Sequence, residues 1–296
     1  MNSRAFHCRI TALFFCLLAA AALYGCSSPA PVPVPPAQER ALTWNKRGLE
    51  AEARGNHESA ISAFEESLRI HRSIENFDGI AALLLNLARV HRQKTDLSIA
   101  KERIVETLRI ISSDNPLFPE AAFEKAKVEL ALGNLPDAED WARKAVPAEK
   151  KPYSGRMQNL LSRILFLEGK TGEALPLAES ALESNRKSAD RAEEANSLRL
   201  TGDIALAEGD PQGAQARYLE ALAIDKEMAL SKKIASDLRS LGAAAFARGE
   251  TDKAMAFYER AATVSRGGGM PAEAEAALSE RDRIKKTFSP STSPAD

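Results

Sequence analysis

The sequence predicts an all-α protein: an α-solenoid of six helix hairpins stacked side by side and closed by one further helix near the C-terminus. Three observations carry this. Apolar and small residues recur at three- and four-residue spacing through most of the chain, the one-faced pattern of amphipathic helices. Glycine and proline groups interrupt that pattern at short intervals and stop each helix. A small residue early in each second helix recurs as Ala60, Ala100, Ala138, Ala174, Ala214 and Ala254, at separations of 40, 38, 36, 40 and 40 residues. Such a period means stacked units, each too small to bury its own apolar faces.

The clearest unit runs from Ala195 to Ile224. Its first helix carries Leu198, Gly202, Ile204 and Ala205. Gly209-Asp210-Pro211 ends that helix and starts the next, with Asp210 placed to cap and Pro211 suited to the first helical position. The second helix shows Ala214, Tyr218, Ala221 and Leu222 on one face. So short a turn makes the two helices antiparallel, and the small residues let their backbones approach closely.

The other units keep this register. The first shows Trp44, Gly48, Gly55, Ala60 and Phe64, and the sixth Leu241-Gly242, Gly249, Ala254, Tyr258 and Ala261. Three are degenerate: Leu87-Ala88, Thr95, Ala100 and Ile104; Ala126, Gly133, Ala138, Ala142 and Ala145; Ser162, Gly169, Ala174, Ala178 and Ala181. On these residues the chain resembles the tetratricopeptide repeat family, whose usual period is about 34 residues. The longer spacing here resembles a variant with a turn or so added to the second helix or the connection. The resemblance implies a right-handed superhelix, with repeats expected over 41–74, 81–114, 119–151, 155–188, 195–228 and 235–266.

The chain opens with Arg4 and Arg9, then an apolar run from Ile10 to Tyr24, too short to span a bilayer comfortably and laid out as a secretory signal. Leu23-Tyr24-Gly25-Cys26 resembles the lipobox of bacterial lipoproteins, which implies cleavage after residue 25 and lipid on Cys26. An ordinary signal peptide cut nearby, or a signal anchor, is the alternative. Ser27 after the acylated residue implies, by the sorting rule of such lipoproteins, the outer membrane facing the periplasm. Cys8 and Cys16 would leave with the signal, so the mature chain would hold neither disulfide nor free thiol. Losing Arg4, Arg9 and no acid moves the net charge from −1 to −3, with no basic excess to suggest nucleic acid.

Residues 26–40, with Pro29, Pro31, Pro33, Pro35 and Pro36, read as an extended tether, or alternatively as a ligand for an aromatic groove. Helices are expected from Ala41. Breaks are expected at Ser112 to Pro119, Pro147 to Pro152 and Gly267 to Gly269. A capping helix over 270–286 presents Ala274, Ala277, Leu278 and Ile284 on one face, and 287–296 reads as a disordered tail.

Little in the chain points to chemistry. After the signal the histidines are His57, His71 and His91, with no metal-ligand spacing; His57 and His91 stand where the repeat places aromatics, so they read as packing residues. Gly169-Lys170-Thr171 lacks the earlier glycine of a nucleotide loop and reads as a hairpin turn. No enzyme activity, metal or small-molecule cofactor is expected. The charged residues read as solvated helix faces with pairs such as Glu65 and Arg69.

The resemblance instead implies a concave groove lined by first helices that takes a protein or peptide partner. The positions matching its groove-facing sites are Asn45, Asn86, Arg89, Lys127, Asn159, Arg163, Arg199, Asp203, Arg239 and Phe246. Asn86 matches an asparagine that long-repeat relatives use to hold a peptide backbone. The cations among these residues are expected to form one uncompensated wall along the stack. The implied function is a membrane-anchored adaptor of the bacterial cell envelope. Alternatives of the same architecture are an assembly factor resembling the pilotin lipoproteins that escort a secretin, or a regulator of a peptidoglycan enzyme.

Overall fold

The computed structural model describes residues 35–146 and 154–288. The expected signal segment, Cys26, most of the tether, the break at Pro147 to Pro152 and the tail beyond residue 288 lie outside the described residues.

Among the described residues there are thirteen helices and no strand. They are α1 Pro36–Ala53, α2 His57–Ser73, α3 Phe77–Gln93, α4 Leu97–Ile110, α5 Phe118–Ala131, α6 Leu135–Ala145 and α7 Ser154–Leu167. There follow α8 Thr171–Lys187, α9 Arg191–Ala207, α10 Pro211–Glu227, α11 Ser231–Ala247, α12 Thr251–Gly267 and α13 Pro271–Phe288. Odd-numbered helices up to α11 are the first members of six hairpins, and α13 closes the stack. No described helix is long and apolar enough to cross a membrane.

The 40-residue period has a simple origin. From α8 to α12 every helix has 17 residues and every turn three, so a hairpin and its connection repeat every 40. The extra length is shared by both helices rather than added to the second. The 38- and 36-residue separations arise where α4, α5 and α6 shorten to 14, 14 and 11 residues. The α9–α10 turn shows the closure: Gly209 has φ of +85°, its N–H donates to the Leu206 carbonyl at 3.2 Å, and the Asp210 N–H donates to that of Ala205 at 2.8 Å. The Asp210 carboxylate then accepts from the Gly213 N–H at 2.8 Å, and Pro211 takes the first turn, as the sequence predicts.

Several boundaries differ from expectation. The first helix starts at Pro36 rather than Ala41, so residues 36–40 are helix and not tether. Proline at the start of a helix lacks only an N–H that would find no partner there. Later first helices start at Phe77, Ser154, Arg191 and Ser231, where 81, 155, 195 and 235 were expected. The turns before α3, α9 and α11 place Glu75, Ala189 and Ala229 at positive φ, where no glycine marks the sequence. The break expected at Gly267 to Gly269 is present, with α12 ending at Gly267, and α13 continues to Phe288.

All six anchor alanines have no solvent exposure. First and second helices meet closely because a small residue lies beneath a large one: Gly48 under Phe64, Gly202 under Tyr218 and Gly242 under Tyr258. In the degenerate hairpins the same positions carry Ala88 with Ile104, Ala126 with Ala142, and Ser162 with Ala178, all buried. One apolar cluster runs from α5 to α9 and another from α10 to α13, so each core is shared between neighbouring hairpins. Ala274 and Ala277 of α13 pack into the second of these, and Ile284 packs with Ala245, Ala254 and Tyr258 of the last hairpin, as a cap requires.

Candidate functional site

First helices line a groove of about 490 Å³ along the stack. Its floor is apolar, with Phe123 from α5, Leu160 from α7 and Leu200 from α9, and its walls are Lys127, Arg156, Asn159, Arg163, Glu193, Asn196, Arg199, Asp203, Lys233, Ser236 and Ser240. Five of the expected residues, Lys127, Asn159, Arg163, Arg199 and Asp203, therefore converge here. Arg239 lines an adjoining cavity of about 450 Å³ with Arg163, Asp203, Tyr258, Glu280 and Arg283, where α13 closes the groove. Phe246 lies on α11, seven residues and so about two turns beyond Arg239, on the same helix face.

Asn45 and Asn86 lie farther along the stack and bond to each other. The Asn86 amide donates to the Asn45 carbonyl oxygen at 3.3 Å and accepts from Arg89 at 3.4 Å. The side chain expected to hold a peptide backbone thus uses one donor and one acceptor within the protein, leaving one N–H and one lone pair.

The expected wall of uncompensated cations is corrected by the structure at Arg89, Lys127, Arg163 and Arg199. Arg89 faces Glu120 at 3.5 Å, Lys127 faces Glu124 at 3.6 Å, and Arg163 faces Asp203 at 2.8 Å. Arg199 lies between two carboxylates from different helices, 3.1 Å from Asp225 on α10 and 3.3 Å from Asp237 on α11. Most of these acids lie far from their cations in sequence and were not assigned to the site. Tyr218 donates to Asp203 at 2.9 Å, which ties the groove wall to the helix behind it. Asn159 donates to the Glu193 carboxylate at 2.9 Å and accepts from Ser197 at 2.8 Å. Arg69 pairs with Glu66 rather than Glu65.

Sequence reasoning missed Arg156 and Lys233. The first was legible in principle, because Arg156, Asn159 and Arg163 share one face of α7 at three- and four-residue spacing. Of the two histidines expected to pack, His91 is buried, with Nδ1 3.4 Å from Asp96, and His57 is half-buried; His71 is buried against Gly79. Burial lowers the His71 pKa and favours its neutral form. Among the described residues no cluster of three or more potential metal ligands occurs.

Residues 85–155 and 153–227 match family descriptions of the tetratricopeptide repeat. Comparison with curated proteins gives no match. Among solved structures, a Rap protein complexed with Competence and Sporulation Factor is 15% identical, with a TM-score of 0.65, covering 84% of this chain and 71% of that one. The apo form of RapI is 15% identical with a TM-score of 0.59, covering 85% and 72%. The pilF protein of Pseudomonas aeruginosa is 17% identical with a TM-score of 0.57, covering 82% and 99%. These likenesses show the fold, an all-α solenoid of the tetratricopeptide-repeat type.

Proposed function

We propose that this protein is a binding scaffold of the bacterial cell envelope, held to the outer membrane by lipid on Cys26 and gripping an extended segment of a partner protein in its concave groove. The observation that carries the reading is the groove itself. Four successive first helices contribute an apolar floor flanked by amides, hydroxyls and charged groups, the surface an extended peptide needs for its side chains and its backbone at once. The lipid attachment rests on the ordered layout of the N-terminal sequence. An assembly factor of the pilotin kind is the second reading, favoured by the same pairing of a lipid signal with a six-hairpin solenoid.

The test is a photo-cross-linking residue placed at Ser236 in the groove and, as control, at Glu179, exposed on α8. A discrete membrane-protein adduct at Ser236 alone, mapped to one extended segment of that protein, is the expected result. The same adducts at both positions, or none at Ser236, would overturn the groove. Cys26→Ser is expected to move the protein out of the membrane fraction, and its continued lipid labelling would remove the anchor from the proposal.

A further inference from the structure

Charge is unevenly balanced at the Phe123 end of the groove. Glu120 faces both Arg89, at 3.5 Å, and Arg156. Glu124, 1% exposed, faces both Arg92, at 2.5 Å, and Lys127, at 3.6 Å. Four cations from α3, α5 and α7 thus share two carboxylates, an excess of two positive charges. The next carboxylate among the groove-lining residues, Glu193, is already bonded by Asn159 at 2.9 Å.

The cations are also held in place. The Lys127 ammonium lies 5.0 Å from the Phe123 ring centroid and the Arg156 guanidinium 5.1 Å from it, so one aromatic ring orients both. Desolvation lowers the Lys127 pKa; Glu124 and Glu120 oppose this, while Arg92 and Arg89 add to it. A cation in that position is short of negative charge, and an incoming anion would supply it. Fixed, partly dehydrated cations bind a carboxylate more strongly than the same groups moving freely in water.

We infer that Lys127 and Arg156 over the Phe123 ring, in a cluster of ion pairs shared with Arg89 and Arg92, form an anion subsite of the groove, which seats a pair of neighbouring acidic side chains on the partner segment. The match is one of number as well as sign, since two carboxylates complete the neutralisation that Glu120 and Glu124 begin. Phe123 and Leu160 offer apolar surface to the methylenes of glutamate. The inference rests on the groove being the binding surface, and it adds that the bound segment is acidic at the α3–α7 end.

The experiment uses the full chain in a nonionic detergent with a fluorescein-labelled pentaglutamate peptide, and labelled pentalysine and glycine-serine peptides for comparison. Saturable binding of pentaglutamate alone is expected, weakening as salt rises. The double variant Lys127→Gln with Arg156→Gln is expected to weaken it about tenfold or more, through the loss of two charge-assisted contacts. The control pair Lys144→Gln with Lys187→Gln removes cations on second helices that pair within their own helices, and is expected to change nothing. Glu120→Gln raises the local excess and is expected to tighten binding, which an unfolded protein could not mimic. No pentaglutamate binding, equal loss in both double variants, or no gain in Glu120→Gln would overturn the subsite. Retained cross-linking at Ser236 alongside any of those results would leave the groove standing without it, whereas loss of cross-linking in the parent protein would remove the groove itself.

Discussion

Tyr218 packs against Gly202, so closely that a Cβ on residue 202 would stand 2.6 Å from the ring. The ring cannot retreat, because its hydroxyl is bonded to Asp203 and the side chain is 1% exposed. The contact sets how near α9 and α10 approach, and through Asp203 and its ion pair with Arg163 it fixes one wall of the groove.

Gly202→Ala is therefore expected to cost about 1–3 kcal/mol, the usual range for overpacking a filled core. The pair Gly202→Ala with Tyr218→Leu, patterned on Ala88 and Ile104 of the second hairpin, should recover part of that loss by relieving the clash. Thermal unfolding followed by circular dichroism measures both. A double variant no more stable than Gly202→Ala would mean that the approach distance is not set by this pair.

The turns offer an independent test. Thr95 and Ala229 adopt φ of +66° and +53°, a region that L side chains occupy at a cost of about 1–2 kcal/mol and glycine does not. Thr95→Gly and Ala229→Gly are expected to raise stability by about 0.5–1 kcal/mol each, after allowing for the greater freedom of glycine in the unfolded chain. Gly209→Ala should do the reverse. Denaturant midpoints for the three variants decide the matter, and a destabilised Thr95→Gly would count against the strain argument.

Two buried carboxyl groups, Asp237 and Glu129, give a dependence on pH. Burial pushes Asp237 up to about 8 from its ordinary 3.8; Arg199 opposes the shift and the neighbouring Asp225 adds to it. Folded protein thus holds a proton that the unfolded chain has released, and stability falls as pH rises from about 4 to about 8. Burial would also raise the Glu129 pKa, but bonds from Asn134, Lys125 and Lys101 hold it at about 2, so the stability it supplies is lost only as pH falls below about 4.5. Asp237→Asn is expected to abolish the alkaline decline, matching the parent near pH 4 and exceeding it at pH 9. Melting curves across that range that run parallel for both proteins would refute the assignment.

Arg199 marks the boundary between what sequence could reach and what it could not. Its place on a groove-facing helix follows from the repeat register, but its two partners are 26 and 38 residues away and meet it only across stacked helices. An Arg199→Glu substitution, natural to suggest from a wall of free cations, would instead put a third acidic group against the buried Asp225 and Asp237. Its effect on binding would be confounded with folding.

By itself, the sequence determined the all-α class, the six-hairpin register, the small residues where helices touch, the Asp210-Pro211 helix start and the capping helix. Each is written in spacings of three, four or 40 residues or in a short turn, and the interactions that enforce them are helix turns, caps and the stacking of like units. Only the tertiary structure decided which charges meet. Glu120 pairs with cations on the hairpins before and after its own, Glu124 with Arg92 of the preceding hairpin as well as Lys127 of its own helix, and Asp203, Asp225 and Asp237 reach arginines 26 to 40 residues away. Those meetings depend on how far each hairpin turns relative to the last, a rotation set by side-chain packing between units and absent from any local pattern.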